Sequence, residues 1–497
     1  MSDEETPDTA KAEKAEKPEK AEKLPLVPEK TSVTHHEVVV GGETVAYTAT
    51  AGLMHITNEK AKGTAAIFYI AYIKDGVEDA ATRPLTFCFN GGPGSSSVWL
   101  HLGAFGPQRI DMVDMAAPRP NMSRLVDNEH SLLDITDLVF VDPVGTGFSR
   151  AGGEGKNKDF FGVVGDGDSL AAFITRYLSR NHRWASPKFL AGESYGTTRA
   201  ALLAHVLGEK GVTLNGLIML SLALNFQTFC FEPGNDLPHL MFLPTYAAVA
   251  WHHGLLADDV APDLDTLLTE VRRWTLDVYA PALLRGGRVG ADERAQIAAQ
   301  LARYTGLDAG EIETLNLRVA DMRFSKSVLK RPGDTVGRMD GRYTAPDSDR
   351  DHRRTQRDPS IDFPFGPYTG LINDHLRRTL AFDHDIEYVV FNMKANEAWK
   401  WERKDRLGFP DTAEDMRKAM HSNPHLKVLF ANGLFDMATP FFAAEYTADH
   451  LQLPAELRQN IALTYYPAGH MMYFHPPSHA QLKADVATLV EAATARD

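Results

Sequence analysis

The segment FLAGESYGTTRAALLA, residues 189–204, places a single hydroxyl between two glycines. An apolar run stops at Gly192, Ser194 follows two residues later, and an alanine-rich helical stretch begins after Gly196. A G-x-S-x-G pentapeptide between a strand and a helix forms a tight turn that holds the serine Oγ at the carboxyl edge of a sheet. Because a Cβ at either glycine would collide in so sharp a bend, the pattern predicts a nucleophile at Ser194. The alternative is a serine that only caps the following helix.

A nucleophilic serine needs a base that takes its proton and a carboxylate that orients the base. When the serine lies between a strand and a helix of an α/β sheet, the chain order is serine, acid, histidine. Two loops at predicted strand ends fit this order, and they contain Asp436 in VLFANGLFDMATP and His470 in LTYYPAGHMMYFH. Because the chain has 19 histidines, the prediction of His470 depends on its position after a predicted strand and not on its residue type. Asp142 is a competing acid, but it precedes Ser194 and lies among loop-shaping glycines.

The stretch NGGPGSSS, residues 90–97, ends another predicted strand and is rich in glycine. The negative charge that develops on an attacked carbonyl oxygen needs preorganised hydrogen-bond donors. The N–H groups of Gly92 and of Tyr195, the residue after the nucleophile, are predicted to form this oxyanion hole. A phosphate-binding loop is disfavoured, because no Lys-Ser/Thr pair follows the glycines.

The elements that must position these residues are short apolar runs separated by turns and helices. The first two runs, EVVVGGETVAYTAT and TAAIFYIAYIKDG, alternate as an antiparallel meander does. Later runs are almost wholly apolar, as strands buried on both faces of a parallel sheet are. Helical patterns at residues 166–181 and 197–211 lie between them. This order predicts an α/β fold with a mostly parallel central sheet and helices on both faces.

The strand pattern breaks after Leu224 and resumes at Lys427. The intervening sequence has amphipathic patterns such as TYAAVAWHHGLL and no clear buried strand, which favours a mostly helical lid insertion. The predicted organisation is a charged tail at residues 1–30, a first part of the core at 31–224, the lid at 225–410 and a second part of the core at 411–497.

Composition limits the classes of partner. The 497 residues are 43% hydrophobic, so the chain can bury a large core. The net charge of −14 is spread along the chain, which argues against nucleic acid or an anionic membrane surface and favours a small molecule or a peptide. No apolar run approaches the ~20 residues of a membrane-spanning helix. No His-Glu-x-x-His motif is present, and neither a metal nor a cofactor is predicted.

Two features favour a cytoplasmic location. The first 30 residues alternate Lys and Glu without the apolar segment of a secretory signal, and they are predicted to be a solvated tail. The 2 cysteines, Cys88 and Cys230, lie among apolar and aromatic neighbours, so no disulfide framework is expected and a reducing compartment is favoured. The oligomeric state stays open, with a homodimer among the alternatives.

Taken in order, the motifs NGGPGSSS, VDPVGTGFS, GESYG, NGLFDMATP and AGHMM resemble those of the serine carboxypeptidases, peptidases with an α/β-hydrolase fold. The resemblance runs from about residue 90 to about residue 475. It implies a core sheet interrupted by a helical lid, and release of single residues from the free C-terminus of peptides. It also implies roles for individual residues: Ser194 as nucleophile, Asp436 as acid, His470 as base, Gly92 and Tyr195 in the oxyanion hole, and Asn90 and Glu193 as ligands of the substrate's terminal carboxylate.

The sequence departs from the family pattern in two places. Ala104 stands where the family usually has a glutamate that pairs with the one beside the nucleophile, and Ser95 stands where secreted members have a cysteine. The Glu193 side chain and the terminal carboxylate of a bound peptide would repel each other unless they share a proton. The pKa of Glu193 is therefore expected to be raised, and substrate binding is expected to weaken as pH rises. A salt bridge from Glu193 to a cation such as Arg199 is the alternative.

Two other functions fit the same residues. An esterase or acyltransferase is one, because an acyl-serine can react with water, an amine or an alcohol. A binding protein that keeps the fold without catalysis is the other, although every member of the predicted triad is present. Trp99, Trp251 and Phe365 are candidate walls of a substrate pocket, and packing inside the core is the alternative for each.

Overall fold

The computed structural model describes residues 25–58, 63–111, 123–329, 333–347 and 358–495. Most of the predicted charged tail and part of the polar stretch after residue 347 therefore lie outside the described residues. Within the described residues, no helix is both long and apolar enough to cross a lipid bilayer.

The centre of the fold is a mixed sheet, which contains ten strands within the described residues. In chain order the strands are β1 (Thr31–Val40), β2 (Glu43–Asn58), β3 (Gly63–Lys74), β4 (Leu85–Phe89), β5 (Gln108–Asp111), β6 (Arg124–Asp127), β7 (Asp137–Val141), β8 (Arg150–Gly152), β9 (Lys188–Glu193), β10 (Gly216–Leu220), β11 (Asp334–Val336), β12 (Thr344–Pro346), β13 (Lys427–Gly433) and β14 (Ile461–Tyr466). The order across the large sheet is β1-β2-β3-β7-β4-β9-β10-β13-β14, and β8 also pairs with β3. The pairs β5-β6 and β11-β12 stand apart from it.

Strand direction divides the sheet into two parts. Strands β7, β4, β9, β10, β13 and β14 pair in parallel, whereas β1, β2 and β3 pair in antiparallel order. The predicted fold class, a mostly parallel α/β sheet with an antiparallel meander at its start, is confirmed. The first predicted run contains a turn at Gly41 and Gly42, where φ is 59° and 89°, so it supplies parts of two strands.

Helices lie on both faces of the sheet and above its carboxyl edge. Their bounds are α1 (Val163–Arg180), α2 (Tyr195–Glu209), α3 (Leu237–His252), α4 (Leu264–Trp274), α5 (Ala280–Arg285), α6 (Ala291–Thr305), α7 (Ala309–Thr314), α8 (Asp321–Ser327), α9 (Pro359–Asp374), α10 (Met393–Glu397), α11 (Ala413–Ser422), α12 (Phe441–Asp449), α13 (Ala455–Arg458) and α14 (Pro476–Thr494). Helices α1, α2 and α11 cover one face, and α9 and α14 cover the other.

The parallel strands are apolar throughout because both of their faces are covered. In β9, Leu190 packs in the cluster under α1 and α2, whereas Phe189 and Ala191 pack in the cluster under α14. The side chains of a strand alternate between faces, so a strand between two helical layers has no solvent-facing position for a polar residue. This explains why these runs lack the alternation of the first strands.

Residues 225–410 add no strand to the large sheet within the described part of the chain. The chain leaves and re-enters the core at adjacent positions, where Thr412 N–H donates to the Leu224 carbonyl at 3.0 Å and Phe226 N–H donates to the Pro410 carbonyl at 3.0 Å. Helices α3 to α8 pack around a third apolar cluster. From α9 onward, however, apolar residues such as Tyr368 pack against the sheet, so the last part of the predicted insertion belongs to the core layer.

A buried ion pair joins the two helices that flank β9. Arg199 of α2 is 1% exposed, and its Nε donates to Asp166 Oδ2 of α1 at 2.7 Å. Its Nη1 donates to the carbonyl of Asn90, the first residue after β4. Removing one partner of such a pair leaves the other charge buried without compensation.

We expect Asp166→Asn to lower the free energy of unfolding by about 3–5 kcal/mol, because Arg199 would stay buried without its carboxylate. Denaturant unfolding measures the change. The control is Asp449→Asn, which breaks the solvent-exposed pair with Arg458 at 3.1 Å and should cost less than about 1 kcal/mol. Equal losses in the two variants would contradict this account of the Arg199 pair.

Candidate active site

Ser194 lies at the turn between β9 and α2, as the G-x-S-x-G pattern predicts. Its φ of 60° and ψ of −127° are strained for a residue with a Cβ, and its side chain makes no capping hydrogen bond to α2. A Cβ at Gly192 would come within 2.2 Å of the Gly196 carbonyl oxygen, and one at Gly196 within 2.5 Å of the Phe89 carbonyl oxygen. Both glycines are therefore required by close backbone approach, and the capping alternative for Ser194 is not supported.

The predicted base and acid are in direct contact. His470 Nδ1 lies 2.7 Å from Asp436 Oδ2, and both side chains are buried. The Thr439 hydroxyl donates to the same Oδ2 at 2.7 Å, and the N–H groups of Ala438 and Thr439 donate to Oδ1 at 2.8 and 3.0 Å. When Nδ1–H donates to the carboxylate, Nε2 is the nitrogen left to accept a proton. His470 and Ser194 both line one cavity.

The protonation of His470 is set by two opposing effects. Burial alone lowers the pKa of an imidazole, but the charge of Asp436 and its hydrogen bond outweigh burial, so the pKa of His470 is raised above its usual value. The Arg338 guanidinium acts in the other direction. A base with this environment is neutral, and able to accept a proton, only above its raised pKa.

The glycine-rich loop after β4 lies against the start of α2. A Cβ at Gly91 would be 2.4 Å from the Tyr195 nitrogen, so only a glycine permits this approach. Gly92 and Tyr195 both line the cavity beside Ser194. Tyr195 is the first residue of α2, where an N–H has no acceptor within the helix and is free to bind a ligand. The structure thus brings together the two amides predicted to form an oxyanion hole.

Asp142, the competing acid, is placed differently. Its Oδ1 accepts hydrogen bonds from the N–H and the hydroxyl of Ser97, each at 2.8 Å. Asp142 therefore braces the glycine-rich loop from behind, while His470 pairs with Asp436. Burial raises the pKa of Asp142 to about 6, against the lowering effect of the Ser97 hydrogen bonds.

Asn90 and Glu193, predicted to bind a carboxylate, are hydrogen-bonded to each other at the edge of the same cavity. Asn90 Nδ2 donates to Glu193 Oε1 at 3.0 Å, and Asn90 Oδ1 accepts from the Leu100 N–H at 3.0 Å. The alternative partner of Glu193, Arg199, is paired with Asp166 instead. Glu193 is thus hydrogen-bonded to Asn90 and not to Arg199.

Glu193 is 4% exposed, and one of its oxygens is incompletely satisfied. Among the described residues, neither Glu193 Oε2 nor the neighbouring Tyr473 hydroxyl makes a hydrogen bond of standard geometry, although the two groups lie close enough to interact. Burial raises the pKa of Glu193 to about 7, while His470, Tyr473 and Asn90 each act to lower it. The side chain is therefore mostly protonated in weakly acidic solution.

Ala104, which stands where the family pattern has a second glutamate, is buried. Ala104 lies in a buried π-helical segment, Leu100–Phe105. A Cβ at its neighbour, Gly103, would lie 2.6 Å from both the Tyr368 hydroxyl and the Tyr473 ring. Tyr368 and Tyr473 also interact electrostatically with Glu193, so the surroundings of this carboxyl include two tyrosine hydroxyls.

These groups open into a cavity of about 1310 Å³. Trp99 and Phe365 line it, whereas Trp251 does not and is 39% exposed. Apolar walls with a few polar groups at one end are typical of a site for an organic ligand. Among the described residues, no group of three or more His, Cys, Asp or Glu side chains is arranged to hold a metal ion.

Some residues of the site were missed by reasoning from sequence. Thr439 donates to Asp436 from the same loop, and its spacing of three residues after the aspartate is the local signal that could have shown it. Ser221, at the end of β10, donates to the His470 carbonyl at 2.7 Å. Met339 accepts from the His470 N–H at 2.7 Å. The last two contacts join residues far apart in the chain, and no local pattern indicates them.

A strained serine at a strand-to-helix turn, with an Asp-His pair from later strand ends, is the arrangement of α/β hydrolases. The sequence profile of the serine carboxypeptidase family matches residues 41–470. The chain belongs to the serine carboxypeptidase family.

Relatives are distant and match over part of their length. Serine carboxypeptidase-like 46 of Arabidopsis thaliana is 26% identical over 220 residues, which cover 44% of this chain and 42% of that protein. Carboxypeptidase Y homolog A of Neurospora crassa is 29% identical over 140 residues, 28% of this chain and 23% of that protein. The matches span about half the length of these relatives: 42% of serine carboxypeptidase-like 46 and 56% of serine carboxypeptidase-like 45, both of Arabidopsis thaliana.

One solved structure shares the fold. The Saccharomyces cerevisiae carboxypeptidase Kex1(Δ)p, described as prohormone-processing, superposes with a TM-score of 0.55 at 16% identity. The match covers 89% of this chain and 91% of the yeast chain. At this identity the likeness concerns the fold.

We expect the Glu193 carboxyl to titrate near pH 7 in the folded protein, because burial raises its pKa to about 7. The pH-difference infrared spectrum should show a protonated carboxyl band that disappears as pH rises through this value. The band should be missing in Glu193→Gln. A band that titrates near pH 4.5, the ordinary range of glutamate, would contradict the assigned environment.

Proposed function

We propose that this chain is a serine-type carboxypeptidase that releases residues from the free C-terminus of peptides. One observation carries the proposal: the Asp436-His470 pair and the buried Glu193-Asn90 pair border the same cavity as Ser194. The first pair can activate a serine, and the second offers a proton-bearing carboxyl beside it. Family membership supports the same activity.

The chemistry proceeds through an acyl-enzyme. Ser194 Oγ attacks the carbonyl carbon of the last peptide bond while His470 Nε2 takes the hydroxyl proton. The N–H groups of Gly92 and Tyr195 bind the oxyanion of the tetrahedral intermediate. His470 then gives its proton to the leaving amine, and the carbon–nitrogen bond breaks. Water attacks the ester by the same steps, which restores the Ser194 hydroxyl and releases the shortened peptide.

Selection of a free C-terminus depends on the protonation of Glu193. A neutral Glu193 can donate a hydrogen bond to the terminal carboxylate of a substrate, and the amide of Asn90 can add a second donor. An ionised Glu193 would repel that carboxylate. Since the pKa of Glu193 is about 7, binding of the free acid should be present below this pH and lost above it.

We expect Ser194→Ala to abolish both stoichiometric labelling by a fluorophosphonate and peptide hydrolysis, the latter by more than about 10⁴-fold, because the nucleophile is lost. Mass spectrometry of the labelled protein and a residue-release assay measure the two effects. The control is Ser179→Ala, which changes an exposed serine on α1. Wild-type protein that is folded but takes no label would favour a binding protein without catalysis.

A second comparison concerns the substrate's carboxylate. At pH 6 we expect kcat/KM for a short peptide to exceed that for its C-terminal amide by at least about tenfold, because the amide has one acceptor oxygen instead of two, carries no negative charge and turns its NH₂ group towards a donor of the site. The KM for the free acid should rise above pH 7 in the wild type and stay level in Glu193→Gln, which is neutral at every pH. Equal kcat/KM for peptide and amide would contradict selection of a free C-terminus.

A further inference from the structure

A segment of the predicted insertion, residues 338–342, lies between the two loops that carry Asp436 and His470. Its sequence is RMDGR. It lies between the short strands β11 and β12. Every one of its residues makes a hydrogen bond to one of the two loops or to a neighbour that does.

The segment holds the backbone on both sides of the bond between Gly469 and His470. The His470 N–H donates to the Met339 carbonyl at 2.7 Å. The Gly469 N–H donates to Asp340 Oδ2 at 3.0 Å. Two successive backbone N–H groups therefore donate hydrogen bonds to this segment. The orientation of the imidazole relative to the sheet depends on these two bonds.

Arg342 extends the same contact towards the start of the loop. Its Nε and Nη2 donate to Asp340 Oδ1 and Oδ2 at 2.9 and 2.7 Å, and its Nη1 donates to the Pro467 carbonyl at 2.7 Å. Its guanidinium also stacks over the Phe435 ring, 5.3 Å from the centroid. A planar guanidinium can make these contacts at once, whereas a single amine cannot.

The acid loop is held from the same side. The Gly341 N–H donates to the Phe435 carbonyl at 2.9 Å, and the Met437 N–H donates to the Arg338 carbonyl at 3.0 Å. Phe435 and Met437 are the neighbours of Asp436 in the chain. The segment thus binds the backbone immediately before and after the carboxylate that pairs with His470.

The segment is itself anchored at the start of α9. Asp358 Oδ2 accepts the N–H groups of Arg338 and Met339 at 3.2 and 3.1 Å. The Asp340 N–H donates to the Ser360 hydroxyl at 3.1 Å. Since α9 packs on the sheet, these bonds connect both loops to a rigid element.

Asp340 is the centre of this arrangement and has little room to move. It is 7% exposed, and a Cβ at Gly469 would lie 2.4 Å from the Asp340 Cβ. Its carboxylate accepts from the backbone and side chain of Arg342 and from Gly469, so both oxygens face N–H donors. It does not line the cavity, so it acts on the reaction through His470 and Asp436.

We propose that Asp340 is a positioning residue, which holds the base loop and the acid loop in register so that the His470–Asp436 hydrogen bond keeps its geometry. The inference rests on the proposed function, since it gives Asp340 a part in the activation of Ser194. A shift of about 1 Å in a catalytic group lowers the rate by up to about 10²-fold even when substrate contacts are intact. The effect of losing Asp340 therefore falls on kcat.

Asp340→Asn tests the proposal with a side chain of the same size. Either orientation of the amide turns its NH₂ group towards the N–H donors of Arg342 or Gly469, so the bridge is broken. We expect kcat for peptide hydrolysis to fall about 10–100-fold and KM to change by less than about threefold. The rate constant of fluorophosphonate labelling should fall in parallel with kcat.

The matched control is Asp236→Asn. Asp236 also lies in the predicted insertion and also makes a bidentate pair with an arginine, Arg318, at 2.6 and 2.7 Å. It touches neither catalytic loop in any of these bonds. We expect its kcat to stay within about twofold of wild type, because the pair is similar in charge and geometry but remote from the site.

A kcat of folded Asp340→Asn within twofold of wild type would overturn the proposal. The proposal would also be overturned if Asp340→Asn and Asp236→Asn lost kcat equally, in proportion to the fall in their melting temperatures. Arg342→Lys is measured alongside, because lysine keeps the charge beside Asp340 but cannot also reach Pro467. Arg342→Lys should lower kcat at least about threefold with KM unchanged. If Asp340→Asn does not fold, the Arg342→Lys variant alone tests the proposal. An unchanged kcat of Arg342→Lys overturns it.

Fluorophosphonate labelling and peptide hydrolysis together distinguish failure of this inference from failure of the proposed function. If wild-type protein takes the fluorophosphonate but releases no residue from peptides, the carboxypeptidase proposal fails. The role of Asp340 is then judged by the labelling rate constant, which needs no peptide substrate. If peptides are hydrolysed and Asp340→Asn labels at the wild-type rate, the positioning role fails and the proposed function stands.

Discussion

Parallel strands end at the same edge of a sheet, and every polar group of the active site is held at that edge. The glycine-rich loop follows β4, Ser194 follows β9, and the loops with Asp436 and His470 follow β13 and β14. These loops can approach one another only where glycines let one backbone segment contact another directly. Gly91 against the Tyr195 nitrogen and Gly192 against the Gly196 carbonyl are the contacts that no larger residue would permit.

The second constraint is the cost of charge in a site shielded from water. Asp436 accepts hydrogen bonds from two backbone N–H groups and the Thr439 hydroxyl. Burial lowers the pKa of His470, but the charge and hydrogen bond of Asp436 outweigh it and raise this pKa. Among the residues that the structure describes, Glu193 has Asn90 as its one full hydrogen-bond donor, and burial keeps it mostly protonated below about pH 7. Two carboxyl groups near one imidazole thus differ in the hydrogen-bond donors that surround them.

Residues within the predicted range of the insertion, 225–410, support the site and line its cavity. Its segment 338–342 binds both catalytic loops, and the first residues of α9 bind that segment. Its aromatic residues, Phe365 among them, form walls of the cavity. The same region therefore contributes both to the walls of the cavity and to the support of the His470–Asp436 pair.

Much of the core and of the site could be predicted from sequence, because the signals are local. The steric demand of the turn at Ser194 is contained in residues 192–196, and the apolar runs identify strands covered on both faces. The chain order of α/β hydrolases selected Asp436 over Asp142. Contacts between distant segments were decided by the tertiary structure alone: the pairing of Arg199 with Asp166, the packing of α9 on the sheet, and the binding of Asp340 to Gly469. These depend on strand order and on the path of the insertion, and a side chain's own neighbours in the sequence carry no information about which distant backbone amide it will meet.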